Sequence, residues 1–180
     1  MIIAVGAGIL GLIGDPARDL LAYDRPAIAA GEWWRVFSAH FVHLGTSHLV
    51  LNLAGLVLVW YLVGQAYSQS VWAAIWLVSI GAVTLGLWLF EPQLTWYVGL
   101  SGVLHGLLAA GILGTVQNRA ETWMLGFALI AKLAWEQLVG PLPGSESTSG
   151  GTVIVDAHLF GALGGFASGV LIRVSAKGNI

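Results

Sequence analysis

Gly99-Leu100-Ser101-Gly102 opens an apolar run in which small residues recur every four positions, at Gly102, Gly106, Ala110 and Gly114. A second run, beginning at Ala157-His158, repeats the spacing with Gly161, Gly165 and Gly169. Such strips let two helix backbones approach closely in lipid, where packing rather than hydrophobicity drives association. The first strip starts one step after Ser101 and the second about one turn after His158. Direct contact between the two helices would therefore bring a serine near a histidine.

The composition agrees with a membrane setting. Of 180 residues, 57% are hydrophobic and only 9% charged, and mean hydropathy is +0.84. That charge content is about a third of the usual share, too little to cover a soluble surface. A disordered chain would be polar. Seven basic residues against nine acidic ones, with no basic patch, argue against a nucleic-acid partner. With no cysteine, disulfides, thiolate metal sites and a cysteine nucleophile are all excluded. No cofactor and no metal is expected.

Apolar runs long enough to span a bilayer, about 17–25 residues, lie at 47–63, 71–90, 101–117, 123–139 and 157–174. Residues 1–14 are a sixth run; at about 1.5 Å per residue they are short for a crossing and read as a first span incomplete at its start. They lack the basic flank and cleavage site of a signal peptide. The expected fold is an all-α polytopic membrane protein of six transmembrane helices, with residues 1–180 as one membrane domain. The segment 15–46 holds seven charged residues and several aromatics and reads as amphipathic chain at the interface. Residues 91–100 are expected to dip into the membrane, 118–122 to form a polar turn carrying Arg119, and the Gly-, Ser- and Pro-rich 140–155 to be a mobile loop. Charge does not orient the bundle: Arg119, Arg173 and Lys177 on one side balance Arg18, Arg25 and Arg35 on the other.

Polar groups inside lipid are costly, so their positions carry the functional signal. His48 and Asn52 share a helix face one turn apart at the start of the second span. Ser101 starts the fourth span and His158 the sixth. Even-numbered spans run in the same direction, so the three clusters lie at one level, a layer suited to serine nucleophilic catalysis. Each residue alone also fits a structural role: Asn52 bonding a neighbouring helix, His48 capping its own, Ser101 merely flanked by glycines. Asp156 lies about 200° around a helix from His158, cannot orient that ring, and reads as the N-cap of the sixth span. Lys132 and Glu136, four apart in the fifth span, read as a self-neutralising pair or as an inward-facing contact for substrate or water.

The set Glu32-Trp33-Trp34-Arg35, His43, His48-Leu-Val-Leu-Asn52, Gly99-Leu-Ser101-Gly102 and Ala157-His158-Leu-Phe-Gly161 resembles the rhomboid family of intramembrane serine proteases, in order and over nearly the whole chain. The resemblance implies a six-helix rhomboid-like bundle with Ser101 as nucleophile and His158 as general base. It implies an oxyanion hole from His48, Asn52 and the Ser101 backbone N–H; Gly99, Gly102 and His105 are expected to be supporting residues of the site. It places the site toward the outer, periplasmic face of a bacterial cytoplasmic membrane. Leu20-Leu-Ala-Tyr-Asp24, Gly31-Glu-Trp-Trp-Arg35, Gly99-Leu-Ser-Gly-Val-Leu-His105-Gly106 and Lys132-Leu-Ala-Trp-Glu136-Gln137 resemble the bacterial rhombosortases. These are associated with proteins bearing a C-terminal Gly-Gly sorting tail, which implies membrane-anchored substrates cut near a C-terminal transmembrane tail. One position departs from the general pattern: where most rhomboids carry tyrosine four residues after the serine, packed against the histidine, this chain has His105, which on the Ser101 face could compete with His158 for the base role and is read as a support or hydrogen-bond partner of that ring. Two other functions stay open at this level. A non-catalytic rhomboid-like binder of membrane helices would lack the serine or histidine, and both are present. A transpeptidase-like acyl transfer would use the same residues with an amine in place of water.

Overall fold

The computed structural model describes residues 2–115 and 120–178. The six predicted spans all correspond to helices. The first, α1 (Ile2–Ile13), is followed in the long loop by α2 (Asp15–Leu21), β1 (Tyr23–Asp24), α3 (Arg25–Ala29), α4 (Arg35–Ser38) and a 3₁₀ turn at Ala39–Phe41. Then come α5 (Thr46–Val63), α6 (Gln69–Phe90), β2 (Trp96–Tyr97), α7 (Ser101–Thr115), α8 (Ala120–Leu138), α9 (Ser145–Ser149) and α10 (Val155–Gly178). Among the described residues, three helices are long and apolar enough to cross a membrane: Thr46–Val63, Gln69–Phe90 and Val155–Ser175. Ala4–Ile13 and Ser101–Thr115 are shorter apolar helices. The α8 helix carries Glu121, Lys132 and Glu136, which lowers its apolar character.

Several connections differ from the sequence reading. Residues 120–122, expected in a turn, already belong to α8, because propensity continues the helix through Ala-Glu-Thr; Arg119 lies outside the described residues. The 140–155 loop is not featureless. It holds α9 between two glycines in the left-handed conformation, Gly144 and Gly150, and Glu146 Oε1 accepts the Val153 N–H at 3.2 Å. Asp156 is no N-cap, since α10 starts at Val155 and the carboxylate falls in its first turn, where it complements the helix dipole. The 91–100 segment contains β2, which pairs antiparallel with β1, Tyr23 opposite Tyr97 and Asp24 opposite Trp96. Two-residue strands have no periodicity to read.

Arginines organise the long loop. Arg25 donates to the carbonyls of Leu87, Trp88, Glu91 and Leu94 at 2.7–3.1 Å, closing the C-terminal end of α6, and its guanidinium lies 4.6 Å over the Trp88 ring. Buried Arg35 joins Glu32 at 2.7 Å to the Asp19 and Ala22 carbonyls, both at 2.9 Å. The same loop turns Trp33, Trp34 and Phe37 outward.

The central helix is α7, packed against α5, α6, α8 and α10. Lipid-suited side chains face away from it: Val57, Tyr61, Leu89, Phe127 and Leu171 are all exposed. The contact of α7 with α10 is backbone against backbone. A Cβ at Gly161 would overlap the Gly102 carbonyl, and one at Gly165 the Gly106 carbonyl. At Gly169 it would lie 3.4 Å from Ala110 Cα. Gly114 leaves this seam and meets Tyr67 and Ala66 instead.

Gly161→Val is expected to destabilise the bundle by at least about 1–3 kcal/mol, the usual cost of overpacking, and to lower its melting temperature in detergent. Gly6→Val, with nothing within 4 Å of the added Cβ, is expected to be mild. Equal melting temperatures for Gly161→Val and wild type would remove the close-contact argument.

Candidate active site

Ser101 is the first residue of α7, so its backbone N–H has no partner in the preceding helical turn. His158 lies in the first turn of α10, and the glycine seam sets both at one level. Ser101 Oγ and His158 Nε2 are 2.9 Å apart. His105, one turn along α7, stacks on the His158 ring with centroids 4.3 Å apart and planes 20° apart. Its Nδ1 is 2.7 Å from the Ser101 carbonyl oxygen. A carbonyl only accepts, so that nitrogen carries a proton and is spent on the backbone. Of the two histidines that compete for a base role on sequence, His158 is the one whose ring nitrogen meets the hydroxyl.

His48 and Asn52 lie across the same cavity on α5. Leu44 N–H donates to His48 Nδ1 at 3.3 Å, leaving the proton on Nε2. Asn52 donates to the His48 carbonyl at 3.0 Å and is buried. The His48 ring lies against Gly99, where a Cβ would come within 2.8 Å of Cε1. Gly99 also has φ +122°, a conformation that disfavours any side chain. Its turn is held by Gly99 N–H to Ala39 O at 3.0 Å and Tyr97 Oη to Gly99 O at 2.8 Å. Gly102 is required by packing, since a Cβ there would lie 2.7 Å from the Ala157 carbonyl oxygen. Behind His48, edge-on at 5.1 Å, is His43. Burial and the His48 ring push His43 down to about 4, so it is neutral at physiological pH.

These groups line one cavity of about 940 Å³ at one end of the bundle. His48, Asn52, Ser101, His105 and His158 all reach it, and Pro143, Thr148 and Ile154 of the 140–155 loop close its side.

The sequence reading missed one neighbour of His158. Glu136 does pair with Lys132, at 2.7 Å. Its two carboxylate oxygens also lie 3.1 and 3.0 Å from His158 Nδ1. The signal was depth: Glu136 is in the last turn of α8, which runs opposite to α7 and α10 and so ends where they begin. Which way that turn faces could not be read. His105, Glu136 and His158 offer three donor atoms within 4.8 Å of one another, close enough for a metal ion. The fit is poor, however. His105 Nδ1, both His158 nitrogens and Glu136 are hydrogen-bonded, and the Lys132 ammonium already supplies a cation beside them.

A family model described as the Rhomboid domain matches residues 30–175. The chain is similar to rhomboid protease GluP of Bacillus subtilis, 30% identical over 98 residues, covering 54% of this chain and 19% of GluP. It is similar to YdcA of the same organism, 25% identical over 162 residues, covering 83% of this chain and 72% of YdcA. It is also similar to rhomboid protease GlpG of Klebsiella pneumoniae, 28% identical over 172 residues, covering 93% of this chain and 59% of GlpG. The chain thus spans about a fifth of GluP and somewhat over half of GlpG. With the domain match running across most of its length and its apolar helices packed around the glycine seam, this multi-pass membrane protein belongs to the rhomboid family.

Proposed function

We propose that the protein is an intramembrane serine endopeptidase in which Ser101 and His158 form a catalytic dyad. The observation that carries this reading is the 2.9 Å contact of Ser101 Oγ with His158 Nε2 inside a cavity at the end of the bundle. His158 Nε2 takes the Ser101 proton as Oγ attacks a peptide carbonyl. Negative charge then develops on the carbonyl oxygen. The Ser101 N–H, His48 Nε2–H and the Asn52 amide are the donors available to it. The protonated His158 returns its proton to the leaving amine. Water, deprotonated in turn by His158, attacks the acyl carbonyl; His158 then returns that proton to the departing Ser101 Oγ, and the acyl group leaves with a new carboxyl terminus.

The substrates that fit are membrane-anchored proteins cut near a transmembrane segment. The rhombosortase-like motifs around Ser101 and Lys132 support a C-terminal tail with a Gly-Gly-type site. In this reading residues 1–180 work as one domain, six helices cross a bacterial cytoplasmic membrane, and the cavity opens to the periplasmic side. Mass spectrometry of the new C-terminus distinguishes hydrolysis, which leaves a free carboxylate, from transfer to an amine.

Co-expression with a tail-anchored candidate substrate tests the dyad. Ser101→Ala is expected to reduce cleavage to background while staying folded in detergent; retained cleavage would sink the assignment.

His48→Ala and Asn52→Ala are expected to lower kcat by roughly 10²–10³ with little change in KM, because an oxyanion hole acts mainly in the transition state. A raised KM with kcat untouched would move that residue to substrate binding.

His105→Tyr is expected to keep measurable cleavage and His158→Ala to lose it, because a stacked support can be exchanged and a base cannot. Activity surviving in His158→Ala but lost in His105→Tyr, at matched expression, would reverse the two roles.

A further inference from the structure

Glu136 is buried at the cavity wall, with its side chain only 2% exposed. A carboxylate in that position is costly unless its charge and lone pairs are met. Lys132 alone does not account for the placement. Its side chain is 29% exposed and reaches the cavity, so the pair could have been solvated with both charges turned outward. Instead both Glu136 oxygens face His158 Nδ1, at 3.0 and 3.1 Å.

We infer that Glu136 is a positioning residue for His158, fixing the ring's tautomer and plane through Nδ1, and that Lys132 holds Glu136 in that orientation. The inference rests on the serine-protease reading above and adds a third member to the proposed dyad. A carboxylate can only accept, so its partner Nδ1 carries the proton and Nε2 is left as the acceptor for Ser101 Oγ–H. The opposite tautomer could not take the serine proton. Lys132 Nζ lies 3.4 Å from the same Nδ1 and is a competing donor. With Glu136 present, the ammonium donates to Oε1 at 2.7 Å, and Nδ1, protonated toward the carboxylate, has no lone pair to offer it. Without it, the ammonium would be free to donate to Nδ1 and select the unproductive tautomer. His105 holds the face of the ring, and Ser101 and Glu136 hold its two nitrogens, so neither tilt nor flip is left free.

The test uses the full chain in detergent or liposomes, with a fluorophosphonate probe that labels an activated serine and with one cleavable substrate. Glu136→Gln keeps size and polarity but can donate to Nδ1. It is expected to lower kcat and the Ser101 labelling rate by roughly 10²–10⁴, with KM changed less than about threefold. Glu136→Asp is expected to recover at least about tenfold of that loss. The wild-type protein offers a check without any variant: ¹⁵N NMR of His158 should show the Nδ1–H tautomer. Labelling and cleavage by Glu136→Gln at the wild-type rate would overturn the inference. So would a predominant Nε2–H tautomer in wild type, or a loss that tracks a fall in melting temperature and is not recovered by Glu136→Asp. A wild-type chain with His158 in the Nδ1–H tautomer but no labelling at Ser101 and no cleavage would overturn the protease reading instead, leaving the Glu136–His158 pairing in place.

Discussion

The backbone contact between α7 and α10 is the constraint on which the rest depends. Gly161 meets the Gly102 carbonyl, Gly165 the Gly106 carbonyl, and Gly169 approaches Ala110. The partners keep one constant offset, so the two helices run parallel and in fixed register. Ser101 and His158 sit at the start of that register, and their hydrogen bond follows from it. In lipid this seam gains little from the hydrophobic effect; dispersion between close backbones has to hold it. Under the proposed mechanism its closeness would also have a chemical consequence, since an error of about 1 Å between reacting groups can cost roughly 10²-fold in rate.

A register between two helices does not by itself place the Gly99–Gly102 turn. The long first loop does that from outside. Arg25 closes the end of α6 and Arg35 ties the loop to itself, each with several carbonyl partners. Hydrogen bonds to a charged donor contribute about 1.5–3 kcal/mol each, so these two side chains outweigh the small β1–β2 pair they accompany. The loop then delivers the Ala39 carbonyl to Gly99 N–H, and β2 brings Tyr97 to the Gly99 carbonyl. Both backbone groups of Gly99 are thereby fixed, and the His48 ring fills the space where a side chain would be.

The spans and the seam were legible because their signals are periodic. Apolar runs of bilayer length and glycines every four residues survive in one dimension. The polar layer was legible from direction: α5, α7 and α10 start together, so His48, Ser101 and His158 had to share a level. What sequence could not supply was rotation. The depth of Glu136 was readable, but whether the last turn of α8 faced lipid, cavity or histidine depended on the packing of α8 against α7 and α10. Asp156 shows the converse error, in which one residue of difference at a helix start turns a cap into a first-turn charge. The short helices of the first loop and α9 were missed because four to seven residues carry too little pattern.

The gathering of polar atoms at one end of the bundle follows from what each half of α7 must do. Past its first turn the helix is enclosed by Val63, Trp72 and Ile80 together with its own Leu107 and Ile112, an apolar core with no use for water. At its start, serine, three histidines, asparagine, lysine and glutamate meet within about two turns of the helix ends. A polar group left dry at that depth would cost several kcal/mol, so the layer must be self-paired or wet. It is both. Glu136 and His158 are paired and nearly buried at the cavity wall, whereas the Lys132 side chain is 29% exposed there. The division matches the chemistry a hydrolase would need there. In the proposed mechanism the carboxylate that would hold the His158 proton is almost wholly buried, and the Ser101 oxygen that would meet a peptide and then water borders the cavity.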